Sequence, residues 1–176
     1  MVTAYIDESQ SSGWYLIAAV LVDRRVEGDV RRGLRQLPQR HQQRVHMKAN
    51  RPIRQRELLE TFAALPIRCV VVRSKPDGAK GDERARAACL ARVTDEVITL
   101  ECSMLVVESR GNRTADTRDG QTIETARAKH THRLEYRHDL ASLEPLLWLP
   151  DGVAWAAGHG GPDSTRSPTP SSRSDR

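Results

Sequence analysis

Three acidic residues stand where the local sequence pattern changes. Asp7 follows Ala4-Tyr5-Ile6, Glu108 follows Leu105-Val106-Val107, and Asp151 follows Trp148-Leu149-Pro150. Carboxylates at strand and helix ends can converge at one edge of a sheet, and α/β sheets bind ligands at the carboxyl ends of their strands. Three converging carboxylates repel one another unless a cation neutralises them. Hard oxygen donors of this kind suit Mg2+ or Mn2+. Each acid also has an ordinary structural role open to it. Asp after a strand is a common turn residue, Asp151 after proline is a natural helix N-cap, and Glu108 could simply be solvated. On spacing alone the structural role has the stronger claim for each acid taken singly.

The elements that would position these acids can be read from periodicity. Val2 to Ile6 reads as a short strand ending at Asp7, joined through Ser11-Ser12-Gly13 to a longer strand from Trp14 to Val22. Both faces of the second strand are apolar, which places it centrally. Val26, Val30, Leu34 and Leu37 form one face of a helix stopped by Pro38. Val45 to Met47 suggests an edge strand. Pro52 opens a helix whose Leu58, Leu59, Phe62 and Leu65 form an apolar face. Ile67 to Val72 is a strand, 82–100 the longest helix, and Met104 to Val107 a strand ending at Glu108. Ser109 to Gly120 has no hydrophobic period and reads as a long loop, before a helix from Gln121 to Lys129. Leu134 to His138 suggests a strand, and Gly152 to Ala157 a short helix after Pro150-Asp151. Helices and strands alternate after the first strand pair, which predicts an α/β architecture with a mixed sheet flanked by helices.

Composition bounds the function. The chain has 176 residues, enough for one domain with a sizeable core. The longest apolar run, Trp14 to Val22, has nine residues. That is about half of the ~20 a membrane-spanning helix needs, so no membrane partner is expected. The N-terminus lacks a basic start with an apolar stretch, so no signal peptide is expected. Three cysteines without metal-type spacing argue against a disulfide scaffold or zinc site and for the reducing cytoplasm. The net charge is +5 and arginine far outnumbers lysine. This permits nucleic acid as a partner without demanding it, because a GC-rich coding sequence gives the same bias. From His159 to Arg176 there is no large apolar side chain, which predicts a domain over 1–158 and a disordered tail over 159–176.

Other chemistries find little support. There is no Gly-x-Ser-x-Gly, no Gly-x-Gly-x-x-Gly and no P-loop. His130, His132 and His138 match no zinc spacing and read as surface histidines. An aromatic content of 4 % is low for a base-stacking platform.

Tyr5-Ile6-Asp7-Glu8-Ser9, followed by the apolar strand Trp14 to Val22, resembles the opening of the DUF3800 family. The segment Pro145-Leu146-Leu147-Trp148-Leu149-Pro150-Asp151-Gly152-Val153-Ala154 resembles that family's C-terminal Asp segment, and His46 matches a mid-sequence His. The likeness spans roughly Val2 to Gly158. Gln10 stands where the family usually has Gly, and Glu108 where relatives often have Asp.

The resemblance implies a ribonuclease H-like fold. It makes Asp7, Glu108 and Asp151 candidate metal ligands, with Glu8 as a possible fourth. On an ideal strand Glu8 faces away from Asp7, so it would need a bend at the strand end. The implied activity is metal-dependent cleavage or transfer of a phosphodiester in DNA or RNA, with two ions flanking the scissile phosphate. His46 could shuttle a proton, or be a structural histidine with about equal claim. Arg110 and Arg113 could clamp phosphate, although a solvated polar loop is the stronger reading for each. A non-catalytic nucleic-acid or protein-binding module on the same fold is the main alternative. A hydrolase of small phosphorylated substrates is a third.

Overall fold

The computed structural model describes residues 1–159. Five strands form one mixed sheet: β1 (Val2–Ser11), β2 (Trp14–Asp23), β3 (Arg68–Ser74), β4 (Met104–Glu108) and β5 (Glu135–Asp139), in the order β3-β2-β1-β4-β5. β1 pairs antiparallel with β2 and parallel with β4, β2 pairs antiparallel with β3, and β4 parallel with β5. Five helices flank it: α1 (Arg24–Leu34), α2 (Pro52–Ala63), α3 (Gly81–Thr99), α4 (Arg113–Arg127) and α5 (Trp148–His159).

Strand alternation divides the core into two layers. On one face Tyr5, Val20, Val22 and Val106 pack with Val30, Leu34, Leu58, Phe62, Trp148 and Leu149 from α1, α2 and α5. On the other, Ile6, Ile17, Leu105 and Val107 meet Cys89, Leu90, Val93, Val97 and Ile123 from α3 and α4. β2 is buried along nearly its whole length, as its apolar run predicts for a central strand. The described residues contain no helix long and apolar enough to cross a membrane.

Several expectations are corrected. β1 does not stop at Asp7: its antiparallel ladder with β2 continues to Ser11↔Trp14. Ser12 and Gly13 then make the turn, both with positive φ (52° and 76°), the backbone that a tight two-residue hairpin requires. The strand expected at Val45 to Met47 is instead irregular chain leading into a 3-10 turn, Met47–Ala49. Val45 and Met47 are buried there, but the Met47 N–H donates to Asp151 Oδ2 at 2.7 Å and joins no ladder.

The loop expected over Ser109 to Gly120 is largely helical, because α4 starts at Arg113 under an Asn112 cap that accepts from Thr114 N–H. Over the expected loop the inward face of α4 consists of Ala115, Asp119 and Gly120, two small residues and one acid that leave no apolar period to read, and Ile123 and Ala126 follow in the part expected as helix. α5 begins at Trp148, four residues before the expected start. Pro150 sits in its first turn, where a missing N–H breaks no intrahelical bond. α5 runs to His159, one residue beyond the expected domain boundary. Apart from His159, the expected disordered tail lies outside the described residues.

Candidate functional site

The parallel ladder between β1 and β4 ends at Ile6↔Val107. Beyond it β1 goes on with β2, while β4 stays with β5 as far as Glu108↔Asp139. Asp7 and Glu108 are therefore the first residues of two neighbouring parallel strands past their common ladder. Strand alternation puts both on the same side as Tyr5 and Val106, the side covered by α5.

Asp151 reaches this point from the first turn of α5. Close packing holds that turn in place: a Cβ on Gly152 would lie 2.7 Å from Phe62 Cε2, so α5 can approach α2 this closely only with glycine there. At the other end of α5, Ser11 Oγ donates to the Gly158 carbonyl at 2.8 Å.

The result is a cleft of about 110 Å³ lined by Asp7, Glu8, Ser9, Arg44, Val45, His46, Lys48, Glu108 and Asp151. It brings together the candidate catalytic and metal-ligating residues Asp7, Glu8, His46, Glu108 and Asp151. Asp7 Oδ1 accepts from the Glu8 backbone N–H at 2.6 Å. Burial pushes the Asp7 carboxyl well above the usual carboxylate range, the charges of Glu108 and Asp151 push it further, and a hydrogen bond to the Glu108 carboxyl does the same. Two carboxylates can share a hydrogen bond only if one keeps a proton.

Asp151 Oδ2 accepts from Met47 N–H and faces His46 Nδ1 at 3.3 Å, so the N-cap role is not the one it takes. The Asp151 carboxylate raises the His46 pKa. Arg44 Nη1 donates to Glu108 Oε1 at 2.8 Å. Arg44 and Lys48 thus put two cationic side chains on an acidic cleft, with His46 between them in the chain.

Glu8 departs from its expected role. It borders the cleft, but β1 stays straight enough that its carboxylate pairs with Arg86 of α3, on the opposite side of the sheet. Arg86 is 3 % exposed and also forms a two-pronged pair with Asp119, at 2.9 and 2.6 Å, and a hydrogen bond to Tyr15 Oη. Of the two expected phosphate clamps, Arg110 is paired with Glu83 and Arg113 is exposed at the start of α4.

The sequence reading missed a second polar cluster. Ligand atoms of Asp116, Asp119 and His138 all lie within 4.8 Å of one another, a spacing that a metal ion can bridge and that the three cleft acids do not meet. Burial would push Asp119 up, but His138 and the Arg86 guanidinium bring its carboxyl down to about 2. Both Asp119 oxygens are taken by Arg86, and Asp116 accepts from Ser109 Oγ at 2.6 Å and Arg110 N–H at 3.1 Å. This cluster therefore already has its counter-charge, and it joins α3, α4 and β5. The surface reading of the histidines fails for His138, whose side chain is 17 % exposed. His132 is exposed as expected, with Nε2 on the Cys102 carbonyl, and His130 is half-buried facing Asp95 at 2.8 Å. An acid on a face of small residues, Ala115-x-x-x-Asp119-Gly120, was the available signal.

No family model matches the chain, and no curated protein matches it. Solved structures do. A chain of the PCNA:RNase HII complex from Archaeoglobus fulgidus superposes with a TM-score of 0.56 at 18 % identity, covering 90 % of this chain and 73 % of that one. Ribonuclease H2 from Pyrococcus horikoshii OT3 gives 0.57 at 13 %, covering 90 % and 72 %. The fold is ribonuclease H-like: a five-stranded mixed sheet flanked by helices.

Proposed function

We propose that this chain is a divalent-metal-dependent nuclease of ribonuclease H-like type, and with it a member of the DUF3800 family. The observation that carries the reading is the meeting of Asp7, Glu108 and Asp151 in one cleft, where Glu108 and Asp151 raise the Asp7 pKa more than Arg44 lowers it. That donor set is all-oxygen and anionic, the chemistry that a hard cation takes. Mg2+ or Mn2+ held by Asp7, Glu108 and Asp151 would supply an activated water and charge stabilisation at the scissile phosphate.

The chain's own residues do the rest. Met47 N–H and His46 fix the Asp151 carboxylate by two hydrogen-bonding contacts to one oxygen. The Asp151 carboxylate raises the His46 pKa and the ring is 42 % exposed, so His46 is placed to hand a proton to a leaving oxygen. Arg44 and Lys48 stand at the cleft mouth, where phosphate oxygens of a DNA or RNA strand would arrive. Glu8 stays with Arg86. Three free cysteines, two of them buried, are compatible with the reducing cytoplasm that the reading assumes.

The competing reading, a binding module without catalysis, draws on the Arg44–Glu108 pair, which supplies an internal counter-charge to one of the three acids. A cleavage assay separates the two. Single-stranded, duplex and hybrid substrates are incubated with Mg2+ or Mn2+ and wild type, Asp7→Asn, Glu108→Gln or Asp151→Asn protein. Each amide keeps the shape and loses a charge, and each should lower the rate by orders of magnitude. Wild-type protein inert with every substrate and metal would put the binding module ahead. Cleavage by Asp7→Asn at the wild-type rate would move the site elsewhere.

A further inference from the structure

Ser9 lines the cleft with a buried hydroxyl that has no hydrogen-bond partner among the described residues. The residue is 6 % exposed. Tyr5, Asp7 and Ser9 alternate along β1, so Ser9 lies on the same side of the sheet as Asp7, and it lines the same cleft. Two residues further on, Ser11 on that side is satisfied by the Gly158 carbonyl of α5. The fold therefore provides for one buried hydroxyl of this strand and leaves its neighbour orphaned beside three carboxylates. Buried hydroxyls are rarely left so, because the lost hydration is not recovered. An apolar residue would fill the position at lower cost unless the oxygen serves a ligand.

We infer that Ser9 Oγ is a neutral oxygen ligand of the cation held by Asp7, Glu108 and Asp151. This rests on the metal-site reading above and extends it by a named residue. Hard cations take six or more oxygen ligands, and carboxylates added beyond three would raise the mutual repulsion that already lifts the Asp7 pKa. A hydroxyl adds a lone pair without adding charge. It also explains why α5, which closes on Ser11, makes no hydrogen bond to Ser9.

The test uses the full chain and Mn2+ alone, with no substrate. Mn2+ affinity is measured by titration calorimetry or by loss of the free-ion spin-resonance signal, beside thermal melts with and without metal. Ser9→Ala should melt without metal at or above wild type, since it removes an unsatisfied buried group, yet bind Mn2+ roughly tenfold more weakly. Ser9→Cys exchanges a hard ligand for a soft one. It should lose Mn2+ affinity and gain Cd2+ affinity, with a thiolate-to-metal ultraviolet band that wild type lacks. Wild-type Mn2+ affinity in Ser9→Ala, or a Ser9→Cys protein with no shift toward Cd2+, would overturn the assignment. Asp7→Asn serves as the control. If it loses Mn2+ while Ser9→Ala keeps it, Ser9 alone is wrong and the metal site stands. If wild type itself binds no Mn2+, the metal site falls and Ser9 falls with it.

Discussion

Arg44 Nη1 lies 2.8 Å from Glu108 Oε1, which sets a guanidinium on one of the carboxylates proposed to hold a cation. The two charges compete for the same oxygen. Arg44 comes from the irregular chain before α2 and its side chain is 41 % exposed, so the pair is of the weak, solvent-screened kind. Arg44→Gln should therefore tighten Mn2+ binding in the absence of substrate by about two- to five-fold. The same variant should weaken nucleic-acid binding. Calorimetric titration checks the first effect, and weaker Mn2+ binding in Arg44→Gln would mean that Arg44 supports the site rather than competes for it.

Asp7 gives a pH signature. Its folded-state pKa is raised, first by burial and then by Glu108 and Asp151. A carboxyl raised on folding favours the native state at low pH, and that contribution is lost as pH climbs from about 4 through the folded value. Asparagine does not titrate. Asp7→Asn should thus melt near wild type around pH 4 and increasingly above it toward neutrality, in chelator. A constant difference across that range would remove the carboxylate repulsion from the account.

The Arg86–Asp119 pair should behave in the opposite sense. Asp119 is 4 % exposed and Arg86 3 %, and removing one partner leaves the other charge buried. Asp119→Asn should cost on the order of 3–5 kcal/mol by urea unfolding. Because the Asp119 pKa is brought down to about 2, its contribution is present above about pH 4 and disappears as the pH falls toward 2. A variant with wild-type stability would show that Glu8 and Tyr15 suffice to hold Arg86.

Nucleic-acid affinity should depend steeply on salt. The net charge is +5, and Arg44 and Lys48 stand at the cleft mouth. Each phosphate contact should add roughly 0.7 to 0.9 to the slope of log K against log salt. Arg44→Gln should reduce that slope by about one contact, as measured by fluorescence anisotropy over a salt series. A slope unchanged in the variant would take Arg44 off the phosphate path.

The sequence by itself determined the layers and nominated the acids. Apolar period and run length made β2 a central strand, α2 and α3 amphipathic helices, and β4 a short buried strand ending in Glu108, because burial on one or two faces dictates residue type along the chain. It failed where a buried face is not apolar. α4 was hidden by Ala115, Asp119 and Gly120, and the start of α5 by Pro150, whose place in a first turn depends on where the helix begins. Tertiary structure alone decided what each acid does. β1 runs through Asp7 without bending, so adjacent acids part: Asp7 joins Glu108 and Asp151 under α5, and Glu8 is taken by Arg86 from α3. Partners 78 to 144 residues away in the chain set these fates, and local spacing carries no record of such contacts.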